Sequence, residues 1–287
     1  MRCIFVSDLH GSMRRYEALF RYIESNAPDV VFIGGDILPH SMATLSALPA
    51  VKSDFINDFM AERLGRLKGK MGDEYPQIFV ILGNDDERFE EAAILDAAGR
   101  GIWQYANNRK FELGDYTVYG YAYVPPTPFM LKDWERYDVS RYVDPGCTPP
   151  DAGRRSVPVS KDEMEFSTIK DDLNALAGKD GLKRAVFLFH SPPYRTKLDR
   201  AALDGRVIDH VPLDVHIGSI AIQRFIKKRQ PYLTLHGHVH EAERLTGAWR
   251  DRIGRTEMFG AGHDGPELKI IEFELGALEG ARRVFLE

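Results

Sequence analysis

Two short stretches near the beginning of the chain decide the fold class. Residues 2–10 read Arg-Cys-Ile-Phe-Val-Ser-Asp-Leu-His, and residues 29–36 read Asp-Val-Val-Phe-Ile-Gly-Gly-Asp. Each contains a run of β-branched and aromatic residues that is typical of a buried strand, followed by polar residues. Between them, residues 12–25 have the apolar spacing of a helix. This β-α-β pattern predicts an α/β protein in which helices cover parallel strands.

The same alternation continues through the first half of the chain. It predicts a helix near 52–68, a strand at 77–82 and a helix that begins near Glu87, with apolar residues at Phe89, Ala92, Ala93 and Leu95. From residue 109 the pattern changes to two short strands joined by Gly114 and Asp115, which favour a hairpin turn. We expect this hairpin to begin a second, more antiparallel sheet.

The second half of the chain combines a proline-rich stretch with further helix and strand patterns. Residues 124–160 hold seven of the sixteen prolines and little periodicity, which predicts a long loop near a site rather than a domain boundary. The elements expected after it are helices near 161–177 and 219–229 and strands at 184–189, 232–236, 256–260 and 268–275. We therefore expect residues 1–287 to form a single domain, with residues 124–160 as a loop insertion.

The composition narrows the class of function. Hydrophobic residues make up 44% of the 287 residues, which suffices for a large buried core. The net charge of −5 argues against a nucleic-acid partner, since affinity for the phosphate backbone comes mainly from clustered Lys and Arg. No apolar run approaches the roughly 20 residues that cross a bilayer, and Cys3 and Cys147 are the only cysteines. We expect a cytoplasmic protein that is not bound to a membrane.

Side chains that can bind metals follow several of the predicted strands. They are Asp8 and His10, Asp36 after two glycines, Asn84 after Gly83, His190, and the pair His238 and His240. Ligands of open α/β sheets bind at the carboxyl ends of the strands, so we expect these residues to meet at one edge. In an extended backbone Asp8 and His10 would point to the same side and could share a cation.

The order of these residues along the chain resembles the motif series of the calcineurin-like metallophosphoesterases, and the resemblance covers nearly the whole sequence. The segment 190–241 is similar to a bacterial branch related to the cyclic-nucleotide phosphodiesterases. The family fold is a four-layer α-β-β-α sandwich of two mixed sheets flanked by helices. The resemblance also implies two divalent or trivalent metal ions, one held by Asp8, His10, Asp36 and His240 and the other by Asp36, Asn84, His190 and His238.

The function implied by the resemblance is a binuclear metal-dependent phosphoesterase that acts on a small-molecule phosphate ester. A hydroxide that bridges the two metal ions beside Asp36 would attack phosphorus in line. Two divalent ions less Asp8, Asp36 and the hydroxide leave a charge of about +1, which suits a phosphodiester. Manganese, iron, zinc and nickel all accept this ligand set. A metal-binding scaffold without turnover and a nuclease on the same fold remain alternatives.

The third motif departs from the family pattern. It reads Gly83-Asn84-Asp85-Asp86, whereas the family has Gly-Asn-His followed by Asp or Glu. In the family this histidine is thought to contact the phosphate or to protonate the leaving group. Beside a phosphate, Asp85 would have to be protonated, paired with a cation such as Arg88 or Arg195, or turned away. One hypothesis makes the protonated Asp85 a general acid in place of the histidine. The other makes Asp85 a residue that orders the loop before the next helix. The candidate catalytic residues are Asp85, Asp36 and Asn84.

Other polar and aromatic residues have less specific patterns. His236 is expected to bond or pack within its sheet, while His216 and Arg195 are expected to be loop residues that could also line the site. We likewise expect three more histidines to be loop residues that could line the site: His40, His210 and His263. A further group of aromatic residues could stack a nucleobase, but alternating tyrosines favour packing within a sheet. These residues are Tyr119, Tyr121, Tyr123, Phe129, Trp134 and Tyr137.

Overall fold

The structure is a computed structural model that describes residues 1–39 and 54–287. Within these residues the chain forms two six-stranded sheets and one two-stranded sheet. The strands are β1 Arg2–Val6, β2 Val30–Gly34, β3 Gln77–Ile81, β4 Gln104–Tyr105, β5 Arg109–Leu113, β6 Tyr116–Tyr121, β7 Ala185–Phe189, β8 Val207–Ile208, β9 Val211–Pro212, β10 Leu233–His236, β11 Arg250–Ile253, β12 Thr256–Gly260, β13 Leu268–Glu274 and β14 Ala277–Leu286.

The described residues also contain seven α-helices, none of them long and apolar enough to span a membrane. They are α1 Met13–Asn26, α2 Glu62–Met71, α3 Glu91–Gly99, α4 Lys161–Phe166, α5 Ile169–Ala177, α6 Ile220–Arg229 and α7 Ala242–Thr246. The helix predicted near 52–68 corresponds to a π-helical segment, Phe55–Ala61, that runs into α2. Its predicted first residues, 52 and 53, and the predicted loop histidine His40 lie outside the described residues.

Both large sheets are mixed, with antiparallel strands at one edge of the first sheet and at both edges of the second. The first has the order β14-β13-β1-β2-β3-β4, in which β1 to β4 are parallel. The second has the order β11-β12-β10-β7-β6-β5, in which β12, β10, β7 and β6 are parallel. The prediction of a more antiparallel second sheet is therefore wrong. The segments that contain α5 and α6 return the chain to the same end of this sheet, which keeps its central strands parallel.

The two large sheets pack face to face, and helices cover their outer surfaces. Phe79 of β3 contacts Phe111 of β5 across the interface, with ring centroids 5.8 Å apart. On the second sheet, Phe225 of α6 lies 5.1 Å from Phe187 of β7. On the first sheet, α1 buries an apolar face that includes Tyr16. The predicted α-β-β-α architecture is confirmed, whereas the single domain stays a prediction.

Some local predictions differ from the structure. The edge strands β11 and β14 were not predicted, because most residues of β14 are exposed or half-buried and lack an apolar alternation. Near α3 the buried residues are Ile94 and Ala97, whereas Phe89 and Leu95 are exposed. The helix predicted at 161–177 is divided into α4 and α5, because Thr168 adopts an extended conformation and caps α5.

Residues 124–160, all of which the structure describes, form a loop without a regular helix or strand. A buried ion pair holds its interior, since Lys132 Nζ lies 2.6 Å from Glu135 Oε2. Glu135 also accepts hydrogen bonds from the amide and the hydroxyl of Thr127, at 2.7 and 2.6 Å. The loop is therefore well ordered despite its seven prolines.

Asp138 attaches this loop to the beginning of α6. Its carboxylate accepts hydrogen bonds from the Ser219 hydroxyl at 2.6 Å and from the amides of Ile220 and Ala221 at 2.7 and 3.1 Å. These amides belong to the first turn of the helix, where they have no acceptor within the helix itself. Asp138 thus acts as a helix cap supplied by a distant part of the chain.

Replacing Asp138 with Ala should destabilise the protein. The change leaves buried donors at the start of α6 without an acceptor, so we expect the free energy of unfolding to fall by about 2 kcal/mol. Chemical denaturation followed by circular dichroism measures this change. The matched control is Ser160→Ala, which removes the cap of the short helix α4 and should cost less than about 1 kcal/mol. Equal losses in the two variants would contradict this role of Asp138.

Candidate metal centre

The strand ends bring the predicted metal-binding residues to one edge of the two sheets. In the first sheet Asp8, Asp36 and Asn84 follow β1, β2 and β3, and in the second sheet His190 and His238 follow β7 and β10. The strands of each set are parallel, so their carboxyl ends lie at the same edge. The two edges meet where the Nδ1 atom of His190 donates to the Gly34 carbonyl oxygen at 2.8 Å.

Four residues form the first group of possible metal ligands. They are Asp8, His10, Asp36 and His240, and one ligand atom from each lies within 4.8 Å of the others. His240 Nε2 lies 3.2 Å from Asp8 Oδ1 and 3.1 Å from His10 Nε2. Asp8 and Asp36 are only 1% and 2% exposed, so both carboxylates are buried.

The second group consists of Asp36, His190 and His238, and one ligand atom from each lies within 4.8 Å of the others. Asp36 thus belongs to both groups. His190 Nε2 is 3.1 Å from Asp36 Oδ2 and 3.1 Å from Asn84 Oδ1. Because Nδ1 of His190 donates to Gly34, its Nε2 atom is the one available to a cation. The Asn84 side-chain oxygen thus lies beside this group, and Asp36 is shared between both groups.

Two features indicate that these groups fit metal ions. Asp8 Oδ2 is buried and has no hydrogen-bond partner among the described residues, although Asp8 Oδ1 accepts from the His238 amide at 3.0 Å. Burial of a carboxylate oxygen without a partner is unfavourable unless a cation neutralises it. In addition, the 3.1 Å between the Nε2 atoms of His10 and His240 is compatible with two nitrogens at about 2.0–2.1 Å from one ion.

The buried charges shift the pKa values of the cluster. Burial opposes the charged form of His190, but the Asp36 carboxylate outweighs it and raises the pKa of His190 to about 10. Burial likewise opposes the charge of His240, yet a hydrogen bond to Asp8 raises its pKa to about 9. Burial and the charge of His190 lower the pKa of His238 to about 3. A cation that binds here displaces protons from His190 and His240, so its affinity should rise with pH.

Four of the seven predicted ligands have left-handed backbone conformations. The φ angles are 59° at Asp8, 46° at His10, 51° at Asp36 and 69° at His238. The prediction that an extended backbone directs Asp8 and His10 to one side is therefore wrong, because the chain turns sharply after β1. A left-handed conformation costs a residue with a side chain about 1–2 kcal/mol, and such strain is concentrated at functional sites.

Asp86, which the sequence patterns did not single out, joins the turn of Asp36 to the turn after β3. It is fully buried, and its carboxylate accepts hydrogen bonds from the amides of Ile37 at 3.0 Å, Leu38 at 2.8 Å and Gly83 at 2.8 Å. Burial and the charge of Asp36 raise the pKa of Asp86 to about 8, although the three amides favour its ionised form. Its signal in the sequence is its position as the last residue of the third motif, where the family pattern has Asp or Glu.

Asp85 lies beside the two groups of ligands. Its amide donates to Asp36 Oδ1 at 2.8 Å, and its Oδ1 atom accepts from Asn84 Nδ2 at 3.0 Å. Its Oδ2 atom is 3.8 Å from His10 Nδ1. Asp86 also orders this loop, since it accepts a hydrogen bond from the Gly83 amide. Both roles considered for Asp85 stay predictions.

The possible cationic partners of Asp85, Arg88 and Arg195, and the predicted loop residue His216 have other contacts in the structure. Arg88 forms an ion pair with Glu91 at 3.4 Å. His216 Nδ1 lies 2.8 Å from Oδ1 of Asp199, whose Oδ2 accepts from the Arg195 amide at 2.8 Å. Asp199 is fully buried and was not singled out by the sequence patterns. Asp199 orders the loop that follows β7, because groups from both ends of that loop form hydrogen bonds to its carboxylate.

The remaining histidines and the aromatic group also have positions in the structure. His236 stacks on Phe189 and bonds to the Ser191 carbonyl oxygen at 2.9 Å, so it packs within the sheet as predicted. The Nε2 atom of His263 lies 3.1 Å from Oε2 of Glu267, and His210 is exposed. The aromatic residues with buried side chains, which favour packing over nucleobase stacking, are Tyr119, Tyr121, Tyr123, Trp134 and Tyr137. Phe129 is exposed.

Gly83 permits the close approach of the two sheets at this centre. A Cβ atom at Gly83 would lie 2.3 Å from Asp36 Oδ1 and 2.7 Å from His190 Nε2. Gly83→Ala should therefore displace a ligand of each sheet and weaken the binding of Mn²⁺ by at least about tenfold, as measured by calorimetry. Gly69→Ala in α2 is the matched control, because its Cβ would meet nothing within 4 Å. Unchanged affinity in Gly83→Ala would contradict this packing.

Comparisons with known proteins identify the family. Residues 1–242 match the family model described as calcineurin-like phosphoesterase, and a comparison with curated proteins found no match. The solved structure of TT1561 from Thermus thermophilus is 15% identical, with a TM-score of 0.57 over 100% of this chain and 99% of that chain. A dimetal phosphatase from Danio rerio is 10% identical, with a TM-score of 0.48 over 100% of this chain and 99% of that chain. Since the family model covers most of its length, the chain belongs to the calcineurin-like phosphoesterase family.

Proposed function

We propose that the protein is a phosphoesterase that hydrolyses a small phosphate ester with two metal ions. The residues that would hold the ions are Asp8, His10, Asp36, Asn84, His190, His238 and His240. The observation that carries the proposal is that Asp36 belongs to both groups of possible ligands. A shared carboxylate favours a pair of neighbouring ions over two separate sites. When bound, such a pair supplies an acidified water as the nucleophile and neutralises charge on the phosphoryl oxygens.

The surrounding protein groups hold the ligands in place before any substrate binds. Gly34 fixes the ring of His190 through its carbonyl oxygen, and the His238 amide fixes the carboxylate of Asp8. Asp86 holds the turn that carries Asp36. Contacts of this kind orient metal ligands and support metal affinity. Manganese, iron, zinc and nickel are the candidate ions, because carboxylate, amide and imidazole ligands suit all four.

A phosphodiester is the substrate class that the charges favour. Asp8 and Asp36 place two carboxylates at the centre, which with a hydroxide would reduce the charge of two divalent cations to about +1. A singly charged diester fits this charge better than a doubly charged monoester. We accordingly propose phosphodiesterase activity above monoesterase activity.

The proposal has two alternatives, a scaffold and a nuclease, and it includes a cytoplasmic location. A scaffold without turnover would keep the metal ligands, and a nuclease would need contacts to nucleic acid that the net charge of −5 disfavours. Cys3 and Cys147 are both free thiols, which supports a cytoplasmic location.

Metal-free protein should not hydrolyse an aryl phosphodiester, and addition of Mn²⁺, Fe²⁺ or Ni²⁺ should restore hydrolysis. The diester should be cleaved faster than the matching monoester. Asp36→Asn should lower the rate by about 100-fold or more, since it removes the shared carboxylate. Initial rates of aryl alcohol release measure these effects. Asp115→Asn is the control, because this side chain is 79% exposed at the β5-β6 turn.

Failure of every metal to restore hydrolysis of either ester would refute the proposed activity and favour the scaffold. Full activity of the Asp36→Asn variant would show that the shared carboxylate is not required.

Asp85→Asn tests whether Asp85 is a general acid. A general acid matters most when the leaving group is poor, so we expect a loss of about 100-fold or more with phenyl esters and a much smaller loss with 4-nitrophenyl esters. Turnover numbers on the two esters give this comparison. An equal loss on both would show that Asp85 does not protonate the leaving group.

A further inference from the structure

A buried lysine lies close to the metal centre but is not among its possible ligands. Lys269 of β13 is 3% exposed, and its Nζ atom lies 2.6 Å from Oε2 of Glu243 in α7. The same ammonium donates to the Gly262 carbonyl oxygen at 3.2 Å. Arg283 of β14 forms an ion pair with the other carboxylate oxygen of Glu243. We call these three charged residues, Lys269, Glu243 and Arg283, the ion cluster.

Two residues that contact Lys269, Glu243 and Gly262, lie next to the chain segment that contains His240. Glu243 is three residues beyond His240 and belongs to α7, the helix that begins immediately after the metal-binding segment. Gly262 lies against the backbone of that segment, since a Cβ at Gly262 would be 2.7 Å from the Val239 carbonyl oxygen and 3.5 Å from the His240 Cα atom. Lys269 therefore holds both the helix after His240 and the loop that packs against it.

Lys269 also interacts electrostatically with Asp8. Strand β13 pairs with β1, and Asp8 follows β1. Burial lowers the pKa of Lys269 to about 7, and the negative charge of Asp8 opposes this shift, so the two groups are electrostatically linked. The charged groups that face Lys269 are thus Glu243 from α7, with Arg283 of β14 behind it, and Asp8 from the end of β1.

We propose that Lys269 is a positioning residue, which acts through Glu243 and Gly262 to hold His240 in place beside Asp8. The inference rests on the proposed function, because it assigns Lys269 to the ligand group that contains both residues. It predicts that loss of Lys269 weakens one of the two metal-binding steps and leaves the other nearly unchanged. His190 of the second group is held by a different contact, with the Gly34 carbonyl oxygen.

Stability alone does not explain a lysine at this position. Buried ion pairs contribute little net stability, and their replacement by apolar residues of similar volume is often neutral. Lys269→Met removes only one partner, which costs more because a buried charge loses its counterion. Glu243 keeps its ion pair with Arg283, so the variant is expected to fold. A second buried pair, Lys132 with Glu135 in the loop 124–160, has the same 2.6 Å Nζ to Oε2 distance. Within the described part of the chain, the side chains of this pair hydrogen-bond to Thr127 and to each other but to no metal-binding residue, so the pair offers a matched control.

The test is a calorimetric titration of metal-free protein with Mn²⁺. His10→Ala and His190→Ala each remove a ligand from one group only, and they assign the two binding steps. Lys269→Met should weaken the step that depends on His10 by at least about tenfold. The step that depends on His190 should change by no more than about twofold. Lys132→Met should leave both steps within the same twofold limit.

The outcomes separate this inference from the proposed function. Two binding steps in the wild type that are unchanged in Lys269→Met would overturn the inference alone. An equal weakening of both steps, or the same weakening in Lys132→Met, would show a general loss of stability and overturn it as well. Wild-type protein that binds no Mn²⁺ would overturn the proposed function. Glu243→Gln keeps the side-chain shape and should weaken the same step, so the test does not depend on the folding of one variant.

Discussion

The contact between Asp36 and His190 is the interaction on which the arrangement of the site depends. Asp36 follows a strand of the first sheet and His190 a strand of the second, and their side chains meet at 3.1 Å. The contact joins the carboxyl edges of the two sheets, so that ligands separated by more than two hundred residues in the chain lie within one cluster. Burial opposes the charges of both residues, yet the charge of His190 lowers the pKa of Asp36 and the charge of Asp36 raises the pKa of His190. A pair of cations would neutralise the carboxylates that the fold has buried.

The strained backbone of this region is held by polar contacts from residues that are not ligands. Asp36 lies in a left-handed turn. The Asp86 carboxylate accepts hydrogen bonds from three amides, and these bonds hold this turn and the turn after β3. Asp8 is also left-handed, and the His238 amide holds its carboxylate. Each left-handed residue costs about 1–2 kcal/mol, so these conformations persist because buried hydrogen bonds stabilise them. The same bonds hold the side chains in place, which reduces the reorganisation needed when a ligand binds.

The α/β class and the polar residues at the strand ends could be predicted from local patterns, whereas the four-layer architecture and the two groups of ligands followed from the resemblance to the calcineurin-like family. Apolar runs such as 2–6 and 30–34 end two residues before Asp8 and Asp36, and a strand that is followed by polar residues places them at the edge of a sheet. The conformation of the turns could not be predicted, since Asp and His do not require a positive φ. The exposed edge strand β14 lacked an apolar alternation, so it gave no signal.

The supporting residues were missed for a different reason. Asp86 and Asp199 act through backbone amides, and the amides that meet Asp86 come mostly from a segment about fifty residues earlier in the chain. A single sequence contains no pattern that pairs such a carboxylate with its donors. Lys269 is a lysine within a strand, which suggests an exposed residue until its burial is seen.

The most direct test of the account is the number and position of metal ions in crystals grown with Mn²⁺, measured by anomalous X-ray diffraction at the manganese absorption edge. We predict two peaks about 4 Å apart, with the Asp36 carboxylate between them. A single peak, or two peaks of which one has no contact with Asp36, would contradict a shared binuclear centre.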